Sequence, residues 1–362
     1  MIWSILRVWC FTKMVKNIAV SGVQKRLSAG VFTPYYFHIF IRMKKIFILV
    51  PETAVPSGVT GPRYLFTTAN RFLKASGKAP LFEVTLVGQK KEVRIEDGTY
   101  SVSTQSLLHE SGQADLVIIP PLFGNMTTSV HLNSGTLPWI VEQYRNGAEV
   151  ASLCVGAFLL ASTGLLQGKK CSTHWAYYNE FKENFADVEI VDGGVITEQN
   201  GIYSSGGAHS FWNLLLYILE KYTDRDISIL ASKYFAIDID RESQAAFMMF
   251  RGQKDHNDEE VRQAQEYIEQ NYQEKITIDQ LAKKVAVSRR SLERRFKQAT
   301  DNTVIEYLQR VKIEAAKRSF ESTRKNITEV MYDVGYSDTK AFRNVFKKIT
   351  GLTPVEYRNK YQ

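Results

Sequence analysis

Cys154 stands at the end of the apolar run 150–153 and is followed by Val155, Gly156 and the helical run 157–162. A strand, a sharp turn and a helix form the setting of a nucleophile elbow, in which the turn lifts a side chain above the edge of a sheet. The N–H groups that open the helix carry partial positive charge and favour a thiolate or a bound anion. Gly156 lets backbone and ligand approach closely. Without a base to take its proton, a thiol has a reactivity set by the helix terminus alone. His174 and His209 are the candidate bases, and neither has an acidic residue beside it in sequence. Cys154 therefore reads in several ways: the wall of a small-molecule pocket, a structural residue, the nucleophile of an amidase, hydratase or deglycase, or a redox-sensing thiol. His109, His131 and His256 are isolated and read as structural, and Cys10 and Cys171 as incidental.

A second set of residues points to nucleic acid. Residues 276–300 and 327–351 are similar units, each a short helix, a tight turn and a longer helix. In the first, Ser288 is placed to cap the longer helix, with Leu292 and Phe296 as an apolar i, i+4 pair on its buried face. In the second, Ser337 is expected to cap and Phe342 and Phe346 repeat the pair. The two serines are 49 residues apart. The turns differ, Ala286-Val287 in one and Gly335-Tyr336 in the other, where Gly permits positive φ. This is helix-turn-helix spacing, which places the second helix in a major groove. The residues expected to meet bases are Arg289, Arg290, Glu293 and Arg294 in the first unit, and Asp338, Thr339, Lys340, Arg343 and Asn344 in the second. Arginine suits the N7 and O6 acceptors of guanine, and asparagine suits adenine. Ser288, Arg295, Lys297, Ser337, Lys347 and Lys348 are expected at phosphates, which position the protein rather than specify sequence. A connecting helix over 304–320 would hold the two readers for successive major-groove faces of one duplex.

The elements around these residues divide the chain. Of 362 residues, 1–42 carry six basic and no acidic side chains, 43–255 carry 19 against 22, and 256–362 carry 21 against 16. The basic balance of the C-terminal part suits a polyanion there. Residues 1–42 show no capped amphipathic run. Met43 opens MKKIFILVPE like a natural start, so 1–42 read as an upstream extension, disordered or not made, ahead of a targeting peptide as the alternative. From 43 to 250 short apolar strands alternate with helices. Strands are expected at 46–50, 81–87, 116–119, 150–153, 195–197 and 202–204, and helices at 62–76, 137–145, 157–162, 174–183 and 211–222. Apolar strands separated by helices imply a parallel sheet covered on both faces. Residues 251–259 read as a linker, and 260–362 show only the helical period. The three cysteines lie at no metal-ligand spacing, which argues against a zinc site or a disulfide framework and for a reducing cytoplasm. No metal or cofactor is expected. No apolar run reaches the ~18 residues of a membrane span.

Residues 260–360, and above all VGYSDTKAFRNVFKKITGLTPVEYR at 334–358, resemble the AraC/XylS family of transcription regulators. Thr303 departs from the proline common there, but threonine can cap the following helix. The stretch ASLCVGAFLLASTGLLQGKKCSTHW at 151–175 resembles the class I glutamine amidotransferase-like superfamily in its PfpI-like branch, and more closely the GlxA-type regulators that join this domain to an AraC-type one. The resemblance implies an α/β, flavodoxin-like parallel-sheet sandwich followed by an all-α domain with two helix-turn-helix units. It also implies a ligand pocket that includes Glu52, Cys154, Val155, Gly156 and His174, with Glu52 placed against the cysteine. PfpI-like peptidases take their histidine from the position held here by Val155, so a hydrolase is disfavoured and no catalytic residue is assigned. The partners implied are a double-stranded DNA operator, a second copy of the chain, a small-molecule effector sensed in the crevice walled by loops such as 120–136, and RNA polymerase for an activator.

Overall fold

The computed structural model describes residues 42–96, 98–191, 193–238, 244–245, 248–250, 252–254 and 256–361. The expected extension 1–42 lies outside them but for Arg42. Among the described residues the central sheet has seven strands. Their order is Ile196–Gln199, Ile202–Ser205, Glu149–Ser152, Leu116–Ile119, Lys44–Leu49, Phe82–Gly88 and Ser106–Leu107. All neighbours are parallel except Ile196–Gln199 against Ile202–Ser205.

The first strand shows why the sheet has two cores. Successive side chains of a strand point to opposite faces. Ile46 and Ile48 join one buried cluster with Leu65, Phe66 and Leu214, while Phe47 and Leu49 join another with Ile140, Phe158 and Leu160. Helices Pro56–Ala75, Phe211–Tyr222 and Arg225–Phe235 cover the first face. The second is covered by Leu137–Arg145, Ala157–Ser162 and Tyr178–Asn184. A sheet buried on both sides needs runs that are apolar throughout, and Leu116–Ile119 is buried at all four positions.

Several elements depart from the sequence expectation. The helix expected at 62–76 begins at Pro56, and Pro62 lies inside it. Pro56 sits in its first turn, where no N–H is needed. Gly58 is so close to Pro121 that a Cβ would lie 2.2 Å from its Cδ, so this helix packs against the turn after Leu116–Ile119. The sequence reading also missed helix Arg225–Phe235, capped by Asp224, and the hairpin of Glu92–Ile95 with Tyr100–Ser103. Loop 120–136 is not loop throughout, since Asn125 caps a helix Met126–Leu132.

The C-terminal part is all helical, with two separate cores. Val261, Ile268, Leu281, Leu292, Phe296 and Tyr307 make the first, and Ile313, Phe320, Val330, Phe342, Phe346 and Tyr357 the second. Helix Val304–Ser322 supplies Tyr307 to one and Ile313 and Phe320 to the other. Its 19 residues span about 28 Å at 1.5 Å each. Thr303 caps it, as its type allows, in a capping box with Glu306. The stretch 251–259 is not a free linker. Gln253 O accepts from Gln265 Nε2 at 2.8 Å, Lys254 pairs with Glu269, and Asp258 caps helix Glu259–Asn271. Residues 251 and 255 lie outside the described set.

Candidate functional site

The two helix-turn-helix units superimpose in kind with an offset of fifty residues. Ser288 caps Arg289–Thr300 and Asp338 caps Thr339–Thr350, each side chain accepting from the N–H three residues on. Leu292 matches Phe342 and Phe296 matches Phe346, all buried. Thr300 and Thr350 each turn a hydroxyl onto the carbonyls of Phe296 and Phe346. Asp301 and Gly351 then end the helices in the left-handed region at φ 55° and 75°. Thr303 and Thr353 follow, each in reciprocal bonds with a glutamate, Glu306 and Glu356. This corrects the expectation for Ser337. The apolar pair begins four residues after Ser288, and four residues before Phe342 is Asp338. Asp338 is therefore spent on the cap, its Oδ1 2.5 Å from Ala341 N, and Ser337 lies outside the helix, exposed. The turns hold too: Ala286 takes φ 56° and Gly335 φ 74°. At Gly335 a Cβ would sit 2.0 Å from Gln273 O, so no other residue fits.

The expected base-contacting side chains lie on the exposed faces of the two longer helices. Arg290, Arg294, Thr339, Lys340, Arg343 and Asn344 are exposed, and among the described residues none of them has a side-chain hydrogen bond or ion pair. Arg289 is engaged, with Asp279 at 3.2 Å and Glu293 at 3.4 Å. Lys347 and Lys348 are exposed at the far end of the second helix. Lys297 donates to Asp301 O at 2.6 Å and so helps to end its own helix. Arg295 is a further correction. Its Nε and Nη2 donate to Asp258 at 2.7 and 2.6 Å and Nη2 also reaches Glu260, so the half-buried guanidinium holds helix Glu259–Asn271 and is engaged by carboxylates, which a phosphate would have to displace. The Arg295 guanidinium keeps the Asp258 and Glu260 carboxyls below the usual range.

The cysteine turn has the expected backbone and an unexpected electrostatic state. Strand Glu149–Ser152 runs into Leu153, and Cys154 then takes φ 54°, the strained conformation of an elbow. A Cβ on Gly156 would lie 2.6 Å from Pro120 O and 2.9 Å from Ile119 O, so glycine is required there. Cys154 N donates to Ser205 Oγ at 3.3 Å and Thr173 Oγ1 donates to Cys154 O at 3.2 Å. Cys154, Val155 and Gly156 are all buried. Burial pushes the Cys154 thiol up to about 12, against a weaker opposite pull from the Val155 N–H. The helix behind the turn, Ala157–Ser162, is a turn and a half long and does not offset that burial.

No base reaches the thiol among the described residues. His174 Nδ1 accepts from Ala176 N at 3.1 Å, opening the turn Trp175–Tyr177, and burial lowers its pKa. His209 is exposed. Glu52 is not turned onto the cysteine: its Oε1 takes Lys90 Nζ at 2.7 Å and its N–H donates to Asn133 Oδ1. Thr173 and Ser205 are the side chains on the elbow that sequence reasoning missed. Their signal was their place, one residue before His174 and at the end of the strand next to Cys154. Sheet and helical parts meet at a cleft of about 650 Å³ whose walls include Trp175, Tyr178, Met248, Phe250 and Arg310. Lys182 crosses beside it to Asp301 at 2.7 Å.

Comparison with known families accords with this geometry. Residues 44–221 match the DJ-1/PfpI family, and residues 281–360 match a helix-turn-helix domain. The elbow thus lies within the residues that match the DJ-1/PfpI family, and both exposed arginine-bearing helices within those that match the helix-turn-helix domain. Among curated relatives, the chain is 27% identical over 216 residues to the HTH-type transcriptional regulator ArgR of Pseudomonas aeruginosa, covering 59% of this chain and 65% of the relative. It is 27% identical over 221 residues to the regulator GbdR of the same species, covering 61% and 60%. With the regulator CdhR, also from that species, it shares 21% over 323 residues, 86% of this chain and 90% of the relative. The chain thus spans under two thirds of the length of ArgR and GbdR.

Proposed function

We propose that the chain is a sequence-specific DNA-binding transcription regulator. Helices Arg289–Thr300 and Thr339–Thr350 enter successive major grooves about 34 Å apart, held relative to each other by helix Val304–Ser322, which packs into both helical cores. The observation that carries this reading is the fifty-residue repeat of cap, apolar pair and helix end, with Arg290 and Arg294 on one copy and Lys340, Arg343 and Asn344 on the other left exposed and unpaired. Three relatives named as HTH-type transcriptional regulators support it.

In this reading the DJ-1/PfpI domain senses a small molecule, or pairs two copies of the chain, and works in the cytoplasm. An open parallel sheet offers its ligand site beyond the carboxyl ends of the strands, where Cys154 and Ser205 lie. Cys154 is a wall of that site and not a nucleophile, because a buried thiol held near 12 with no base is a poor source of thiolate. Selection of duplexes from a random library on the full chain, followed by anisotropy titration at two salt concentrations, tests the proposal. A consensus sequence with salt-dependent binding is expected. Failure to retain any duplex at low ionic strength rejects it.

A further inference from the structure

Three buried side-chain atoms beyond the elbow have no hydrogen-bond partner: Ser172 Oγ, Ser210 Oγ and Gln244 Oε1. Ser172 and Ser210 are 0% exposed and Gln244 is 1% exposed. Buried polar groups almost always find partners, so such a cluster marks a place built for something else. The atoms converge. A Cβ on Gly207 would lie 2.7 Å from Ser210 Oγ and 3.1 Å from Gln244 Oε1, and one on Gly194 would lie 2.9 Å from Ser172 Oγ. A Cβ on Gly206 would overlap Gln244 Nε2 at 1.7 Å. The three glycines open the room that the Gln244 carboxamide fills.

Gln244 holds this place through N–H donors. Its Nε2 donates to Gly194 O at 2.7 Å and to Thr173 O at 3.2 Å, and its backbone N–H to Gly193 O at 2.8 Å. Thr173 is the residue whose hydroxyl donates to Cys154 O, so the seat adjoins the elbow. Downstream, the same stretch of chain is bound to the helical domain. Lys317 Nζ donates to Met248 O, Phe250 N–H donates to Glu314 Oε2 at 3.1 Å, and the Phe250 ring packs 5.1 Å from that of Tyr307. One end of the stretch is seated beside the elbow and the other on the helix that joins the two DNA-reading units.

We propose that Gln244 is a displaceable internal plug. A small molecule with an N–H donor head, a carboxamide or an ammonium group, takes the Gly194 and Thr173 carbonyls, gives Ser172 and Ser210 partners, and expels Gln244. Expulsion loosens the grip of residues 248–250 on Lys317 and Glu314, and the helical domain reads the ligand in that way. The ligand acts only through its preference for the plug-out state. The consequence for transcription rests on the regulator reading above, whereas the plug itself does not.

The test uses the full chain, with acetamide as a mimic of the Gln244 head. Hydrogen exchange at the Phe250 amide reports the grip, and the Kd for a duplex selected on the wild-type chain reports its effect on DNA. Gln244→Ala is expected to speed exchange at Phe250 and to change Kd by roughly fivefold or more. Acetamide should weaken protection in the wild type, where it competes with the side chain, and should add nothing in Gln244→Ala, where residue 244 is already unseated. Gln244→Glu, which turns a carboxylate onto two carbonyl oxygens, should speed exchange as well. Unchanged exchange in a folded Gln244→Ala chain, or no response of the wild-type chain to acetamide, overturns the plug. Should the variants not fold, the wild-type acetamide titration decides alone. If wild-type chain retains no duplex, the regulator reading fails while the exchange data still judge the plug.

Discussion

Asp258 accepts two N–H groups of Arg295, at 2.7 and 2.6 Å, while its other duty is to cap helix Glu259–Asn271 through Val261 N. One carboxylate thus ties the start of the helical part to the longer helix of the first helix-turn-helix unit. Arg295→Ala should lower the melting temperature and leave the salt slope of DNA binding as it was, because the guanidinium is taken up by Asp258 and Glu260. Loss of one unit of salt slope would return Arg295 to the DNA. The pH dependence has a definite sign. Arg295 holds the folded-state carboxyl of Asp258 below its ordinary value of about 3.9, so the stabilisation is present above that pH and is lost as pH falls through the folded value. Acid unfolding of Asp258→Asn should show less pH dependence in that window than the wild type.

Removal of an exposed, unpaired arginine at the reading face should act on sequence preference. Arg294→Ala or Arg343→Ala should cost about 1–3 kcal/mol on the selected duplex and relax the choice of base locally. Lys348→Ala should weaken all duplexes alike and reduce the salt slope by about one. Titrations against matched and scrambled duplexes separate the two behaviours, and identical losses on both duplexes for the arginines would place the reading helices elsewhere.

The neighbours Ser337 and Asp338 give a sharp contrast. Asp338→Ala removes the helix cap and should cost about 1 kcal/mol of stability. Ser337→Ala should leave stability unchanged. Thermal melts of both variants check the register of the second unit; the reverse order would move the helix start back by one residue.

Burial of Cys154 predicts slow chemistry at the elbow. Alkylation of the native chain by iodoacetamide should be negligible at neutral pH and rise only toward a value of about 12, whereas an exposed thiol would titrate near 8.5. Cys154→Ala should keep DNA binding. A reaction that levels off at or below pH 8 would reinstate the redox-sensing or nucleophilic reading.

Much of the architecture could be read in the sequence because the signals are local. Apolar runs such as Leu116–Ile119 and the helical period of Phe211–Tyr222 depend on residues within a few positions, and both elements have the expected bounds. The elbow was legible for the same reason, as strand, Cys154, Gly156 and helix in immediate succession. The repeated apolar pair was legible as well, but its cap was expected at Ser337, 49 residues after Ser288, although the spacing to Phe342 favours Asp338. Helix Arg225–Phe235 carried its Asp224 cap and its Ile227 and Ala231 period in the sequence without being recognised.

What one side chain does to another far along the chain was decided only by folding. Arg295 looks like a phosphate ligand until Asp258 is brought to it, and Glu52 like a partner for Cys154 until Lys90 claims it. The state of Cys154 followed the same rule: a helix start argues for a thiolate, but the packing of the core it belongs to removes water and reverses the balance. Gln244 had no signal in its own neighbourhood, since its seat is made by Thr173, Gly194 and Gly206, which approach only in the folded chain. Local conformation depends on nearby residues and can be read along the chain, whereas charge pairing and desolvation depend on which distant residues share a few ångströms of space.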